Sequence, residues 1–246
     1  MSELTPSGAA PHLRGVNWRR GGRWVLRDID LWLHEPRIAL IGDNGAGKSS
    51  LFRLLSGLDQ PDSGEIHFAP TPSDASVTVC NGLGLMFQSS EDQIIFPTVE
   101  EELALSLSPW VPQRSQALAQ ARQWLHTHGL GEWASRGMGS LSQGQRQYVC
   151  WLALRIAPHR TLLLDEPFAS LDLPAQWRLR REFAVVPQQL VVSTHLLSHV
   201  QDFDRVIWLE AGRVRADGAP AEVCAAYEAD VAARPFGATP SPLESA

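Results

Sequence analysis

IALIGDNGAGKSSLFRLLSG, residues 38 to 57, decides how this chain is read. Ile38 to Ile41 form an apolar run that predicts a short buried strand. Leu51, Phe52, Leu54 and Leu55 fall on one face of a predicted helix, and Gly57 ends it. Between the two, Gly42 to Ser50 satisfies G-x-x-x-x-G-K-[ST] in the strand-to-helix context that gives the pattern meaning. Gly42, Gly45 and Gly47 permit backbone geometry and close approach that a Cβ would block. The successive N–H groups of a loop running through Asp43, Asn44 and Ala46, together with the helix N-terminus, make a site for anions. Lys48 then reaches terminal phosphates as a point charge. The Ser49 hydroxyl is a ligand for Mg²⁺, and Ser50 adds a phosphate hydrogen bond. A Gly-rich turn that only happens to carry Lys-Ser is the alternative, and the flanking strand and helix weigh against it.

Working outward, strands and helices alternate. A strand, a Gly21-Gly22 turn and a second strand precede the loop, covering residues 13 to 33. Strand EIHF (65 to 68), a loop from Ala69 to Ser76 and strand LGLMF, ending at Phe87, follow the first helix. Residues from about 90 to 157 read as helical. After them come strand TLLLD, helix AQWRLRREFAVV, strand QQLVVSTH, a short helix, strand RVIWLEAG and helix AEVCAAYEADVAA. Continuous apolar strands alternating with helices imply a parallel sheet buried between helical layers. The helical middle interrupts that alternation and reads as an inserted subdomain of the 10–230 domain. The Pro/Ser-rich stretch 235–246 reads as a flexible tail.

The bulk numbers narrow the function classes. The 246 residues are 44% hydrophobic and 20% charged, and the net charge is -6. That balance gives no electrostatic argument for a nucleic-acid partner. The arginine clusters at Arg19–Arg20 and at Arg178, Arg180 and Arg181 read as solvated faces. Cys80, Cys150 and Cys224 are far apart and form neither a zinc pattern nor a disulfide framework, which fits a reducing compartment. The N-terminus lacks the pattern of a signal peptide. No run approaches the roughly 18 apolar residues of a membrane span, so work at a membrane would need another chain to supply one.

The strand TLLLD ends in two acids, Asp165 and Glu166. Ligands of open α/β sheets bind at the carboxyl ends of strands. Asp165 is placed there to hold Mg²⁺, directly or through water. Glu166, one residue later and aimed differently, is placed to polarise a water for in-line attack on a γ-phosphate. Phosphoryl transfer needs mainly positioning and charge neutralisation, and this pair supplies both.

Taken in order, GDNGAGKSS, the strand-ending Gln88 in MFQSSEDQ, LSQGQ (141 to 145), LLLDEP, ASLD (169 to 172) and STH (193 to 195) resemble the ATP-binding cassette (ABC) family over nearly the whole chain. The resemblance implies an α/β P-loop NTPase with a RecA-like core, an antiparallel β subdomain and an inserted α-helical subdomain, and an ATPase using ATP and Mg²⁺. It implies further that Ser142, Gln143, Gly144 and Gln145 match the family signature LSGGQ. Ser142 opens a helix and Gln145 completes a capping box, and that helix end faces the ATP of a second cassette. Gln143 departs from the family's usual glycine. His195 matches the family's switch histidine, which holds Glu166 and the water in register. Asp172 matches the loop that crosses the dimer interface, and Gln88 a magnesium ligand that senses the partner. Trp18, before the hairpin turn, is the candidate ring for stacking on adenine, with Trp24 as the alternative ring and core packing as the alternative role for Trp18.

The stretch FQSSEDQIIFPTVEEELALSL, residues 87 to 107, resembles the cassettes of energy-coupling factor (ECF) importers through Asp92, Gln93, Ile94, Pro97, Thr98, Val99 and Glu101. That group takes up vitamins such as biotin or transition-metal ions such as cobalt and nickel. Apolar Ile94, Ile95 and Phe96 in a predicted loop suggest a groove for a partner helix, or a loop folded back on its own helices. The implied partners are a second cassette (the same chain or a related one), a transmembrane subunit meeting the Gln88–Glu101 region, and a substrate-binding membrane subunit. The implied location is the cytoplasmic face of the inner membrane, as a peripheral subunit. The cassette of another transporter, such as a cofactor exporter, is the alternative. A soluble cassette acting on DNA or ribosomes needs long heptads or two phosphate loops, and the chain has neither.

Overall fold

The structure is a computed structural model that describes residues 10–68 and 82–235. The loop at Ala69–Ser76, Cys80, the first nine residues and the tail beyond Pro235 lie outside the described residues. Two strands, β1 (His12–Arg20) and β2 (Arg23–Trp32), form the expected hairpin around Gly21-Gly22. With β4 (Ser63–His67) they make an antiparallel sheet in the order β2-β1-β4. Five parallel strands, β3 (Arg37–Ile41), β5 (Leu83–Met86), β6 (Thr161–Asp165), β7 (Gln189–Ser193) and β8 (Arg205–Glu210), form the main sheet. An antiparallel edge strand, β9 (Arg213–Gly218), completes the order β5-β6-β7-β3-β8-β9.

β9 corrects the sequence reading, which ends the last strand at Gly212. Its side chains alternate outward and inward, with Arg213, Arg215 and Asp217 exposed. Charged residues and glycine are poor strand formers by composition, yet they suit a solvent-facing edge.

Alternation along the parallel strands sorts the core. Leu163, Val191, Ile38, Leu40, Ile207 and Leu209 face one side. There they bury α1 (Lys48–Leu55) through Leu51, Phe52, Leu54 and Leu55, together with Leu13, Val16, Leu26 and Ile29 of the antiparallel sheet. Leu162, Leu164, Leu190 and Val192 face the other side. They continue into the helical layer of α3 (Val99–Leu107), α4 (Arg114–Thr127), α5 (Gln143–Ile156) and α6 (Leu173–Val185). The last helix, α7 (Pro220–Ala233), covers Ala39, Ile41, Val206 and Trp208 with Val223 and Cys224. A short α2 (Ser90–Gln93) links β5 to the helical layer. Cys150 and Cys224 are both free and buried.

One carboxylate ties the helical layer together. Glu182 of α6 accepts from the Tyr148 hydroxyl at 2.8 Å, from Trp151 Nε1 at 2.7 Å and from Arg155 Nη1 at 2.9 Å, all three on α5. Burial and the bond to Glu182 push the Tyr148 phenol up to about 12. Glu182→Ala strands three donors, one of them charged, so a loss of about 2–4 kcal/mol of unfolding free energy is expected in urea titrations. A loss under about 0.5 kcal/mol would place the α5–α6 linkage in apolar packing instead.

Candidate functional site

The site lies at the carboxyl edge of three neighbouring strands, β6, β7 and β3. The register pairs Asp165 with Ser193 and Leu40 with Ser193. The residues that follow each strand therefore meet: Glu166 after β6, His195 after β7 and the glycine loop after β3.

The loop is packed too tightly for side chains at Gly42 and Gly47, whereas Gly45 has open space beside it and is required for its positive φ of 82° alone. Gly42 has φ 137°, and a Cβ there would sit 2.1 Å from the Leu209 carbonyl oxygen. Gly47, at φ 109°, forms the N-cap of α1. The turn after β8 braces the loop: Gly212 N–H donates to Ala46 O at 3.1 Å, and Arg27 N–H of β2 donates to Gly212 O at 2.8 Å. The edge strand β9 thus has a role here, because it closes the turn that holds the loop. Lys48 is buried, with Nζ donating to Gly42 O at 2.7 Å and to Asp43 O at 3.1 Å. Burial pulls its pKa down, and Glu166, Asp165 and Asp43 push it back up. An anion entering the cradle would take over from those carbonyls. Ser49, Asn44 and Gly45 are exposed at the mouth, with Ser50 half-buried.

The two acids are aimed differently by the backbone. Asp165 is the last residue of β6 and accepts from the Ser193 hydroxyl. Glu166 has φ 49°, a left-handed conformation costly for a residue with a Cβ. Its N–H donates to Ser193 O at 3.0 Å and to Ser193 Oγ at 3.2 Å. The turn carries the carboxylate to His195, where Glu166 Oε2 lies 2.9 Å from Nδ1 and also accepts the His195 N–H at 3.4 Å. Glu166 is 6% exposed, whereas the His195 side chain is 59% exposed. A carboxylate acceptor assigns the proton to Nδ1 and leaves Nε2 facing outward chemistry.

Other residues singled out in the sequence take definite places. Ser142 caps α5 in a reciprocal capping box: Gln145 N–H donates to Ser142 Oγ at 3.2 Å, and Ser142 N–H donates to Gln145 Oε1 at 3.1 Å. Gln143 is exposed in the first turn. At Gly144 a Cβ would sit 3.2 Å from Ser170 O, so the glycine lets the helix end lie against the ASLD loop. Asp172 caps α6, accepting from Ala175 N–H at 2.9 Å. Gln88 is exposed just after β5.

Trp18 is a correction. The residue is 7% exposed and packs in the core with Leu13, Val16, Leu26 and Ile29, the core-packing reading rather than an open stacking face. Val16 and Trp18 alternate with Asn17 and Arg19 along β1, which turns both apolar residues inward. Trp24, the alternative ring, is half-buried, with the Arg19 guanidinium 3.7 Å from its centroid.

Two residues escaped sequence reasoning. Ser193 was visible only as the first letter of STH, yet it orders both acids. Glu102 is buried and accepts from Ile95 N–H at 3.0 Å and Phe96 N–H at 2.8 Å, which makes the apolar loop a fixed feature. A third acid in an EEE run carries no sequence signal that sets it apart.

An anion cradle with a buried lysine, beside a strand-end acid and a histidine-linked glutamate, defines a P-loop nucleotide-hydrolysing protein. Residues 26–169 match the ABC transporter family, well over half of the chain, and the chain belongs to that family. Among its relatives, the biotin transport ATP-binding protein BioM of Rhodobacter capsulatus is 41% identical over 86% of this chain and 91% of its own length. The nickel import ATP-binding protein NikO of the same organism is 35% identical over 90% and 92%. The solved structure of cbiO1 from Clostridium perfringens, part of the ABC transporter complex cbiONQ, superposes with a TM-score of 0.74 at 24% identity. It covers 91% of this chain and 93% of its own, and shows the shared fold. As a family member this chain binds and hydrolyses ATP.

Ser193→Ala tests how the acids are ordered. It removes the hydroxyl from Asp165 and one acceptor from Glu166 N–H. The expected result is a fall in kcat of about 10- to 100-fold with KM for ATP little changed, read by phosphate release across a Mg²⁺ series. A wild-type kcat would remove Ser193 from the account.

Proposed function

We propose that the chain is the ATPase of an ECF-type importer, taking up biotin or a transition-metal ion such as nickel or cobalt. The observation that carries this reading is the segment from Gln88 to Glu101. It begins just after β5, passes through an apolar loop at Ile94–Phe96 whose backbone is held by Glu102, and ends in the first turn of α3. Ile95 is 73% exposed in that loop, an unusual position for an isoleucine with its backbone so firmly held. A groove of about 180 Å³ lies alongside, lined by Phe96, Ala104, Leu105, Val111, Arg114 and Leu118. An apolar loop beside an apolar groove suits an inserted helix of a transmembrane subunit. Among the described residues no helix is long and apolar enough to cross a membrane, so the span belongs to that partner. Relatives named for biotin and nickel transport support the importer reading, and the higher identity to the biotin one favours biotin.

In this reading two cassettes sandwich ATP. The glycine loop and Lys48 of one copy hold the phosphates, while Ser142, Gln143, Gly144, Gln145 and Asp172 of the other close on them. The donors expected for Mg²⁺ are the Ser49 hydroxyl, the Asp165 carboxylate and the Gln88 amide oxygen, a hard-oxygen set that fits the ion. The ion would neutralise charge developing between the β- and γ-phosphates. Glu166 Oε1 receives the hydrogen bond of the attacking water, since His195 occupies Oε2. Closure and reopening of the pair then move the 88–101 segment against the membrane subunit.

Uptake in a host strain lacking the chain tests the reading. Labelled biotin uptake is expected to fall and to return with the wild-type chain. It should fail to return with Lys48→Ala, which loses the phosphate cation, or with Ile95→Asp, which spoils the apolar loop but leaves ATP hydrolysis in the purified chain. Loss of nickel or cobalt uptake instead would move the substrate to a metal ion. Unchanged uptake of all three would overturn the importer reading.

A further inference from the structure

The phosphate loop carries an acid of its own. Asp43 follows Gly42 directly, and its backbone oxygen already receives Lys48. A carboxylate on a loop that must take a polyanion opposes the ligand, since like charges a few ångströms apart repel. Both oxygens of this carboxylate are engaged from the far end of the chain. Tyr227 of α7 donates its hydroxyl to Oδ1 at 2.9 Å, and Arg234, at the C-cap of α7, donates Nη1 to Oδ2 at 2.6 Å.

Arg234 is itself held in place. Its Nε and Nη2 donate to Asp230 Oδ2 at 3.0 and 2.8 Å, one turn earlier on α7. Asp230 accepts in turn from Arg215 Nη2 of β9 at 2.7 Å, and Arg215 Nη1 donates to Glu210 of β8 at 2.6 Å. The chain of ion pairs runs from the sheet edge, through the end of α7, to the phosphate loop. It leaves Arg234 little freedom to settle anywhere but on Asp43. Burial and the bond to Asp43 push the Tyr227 phenol up to about 12, so it stays a donor throughout the neutral range.

We propose that Arg234 and Tyr227 clamp and neutralise the Asp43 carboxylate, and that this clamp from α7 sets the affinity of the phosphate loop for ATP. Both act through Asp43, the residue they contact on the loop. They are positioning residues that cancel a charge the loop would otherwise present to the phosphates. The end of α7 thereby becomes part of the ATP site, although it lies 191 residues along the chain from Asp43.

The test is equilibrium binding of MgATP to the purified chain by calorimetry, with steady-state hydrolysis beside it. Arg234→Ala is expected to raise Kd and KM for ATP about five- to tenfold while kcat stays within about twofold, the effect of one uncompensated charge at this range. The deficit should shrink in high salt, which screens the freed carboxylate. Adding Asp43→Asn to Arg234→Ala should recover most of the affinity, and Arg234→Lys should keep most of it. The melting temperature without nucleotide separates a damaged fold from a changed charge. The proposal is overturned if Arg234→Ala binds ATP as the wild type does. It is overturned equally if the weakened binding persists after Asp43→Asn is added, because the clamp would then be a structural prop only.

Discussion

The pairing of Asp165 with Ser193 across β6 and β7 is the constraint on which the site depends. It brings the Ser193 hydroxyl to Asp165, and the Ser193 oxygens to the N–H of Glu166. Those bonds hold Glu166 in a left-handed conformation that the residue would not choose alone. The twist in turn delivers its carboxylate to His195. A slip of one residue between the two strands would turn Asp165 to the opposite face of the sheet and break the whole sequence of contacts. Five consecutive buried residues in β6, sealed by apolar layers on both faces, make such a slip very costly.

The surroundings of the phosphate loop follow the same logic of distant support. Gly42 must pass too close to Leu209 O for a Cβ to fit, the β8–β9 turn must meet Ala46, and α7 must meet Asp43. Three separate elements, all C-terminal to the helical layer, thus hold a loop that lies in the first fifth of the chain. The loop at Ile95 is held in like manner, its backbone N–H groups fixed by the buried carboxylate of Glu102.

Local chemistry was legible in the sequence, and distant chemistry was not. The glycine loop, the α1 boundaries and the Ser142–Gln145 capping box rest on residues within a few positions of one another, and pattern alone finds them. The acids at the end of β6 were legible because an apolar strand runs straight into them. Ser193 and the α7 clamp were not, since their partners lie 28 and some 190 residues away. β9 was hidden by composition: three charged residues in six do not look like a strand until an edge position is known. Trp18 was open between a ring for adenine and a core residue, and its burial favours the core. The family resemblance places an aromatic before the hairpin turn, while the Val16–Trp18 alternation along β1 turns this one inward.

The most direct test of the central claim is ATP hydrolysis by the purified chain, with Glu166→Gln beside it and size-exclusion chromatography of both in ATP and Mg²⁺. The account predicts phosphate release by the wild type. It predicts a Glu166→Gln variant that releases none, binds ATP and elutes as a dimer only when ATP is present. Hydrolysis that persists in Glu166→Gln would contradict the role given to the left-handed glutamate. A variant that binds ATP and stays monomeric would contradict the site shared between two copies.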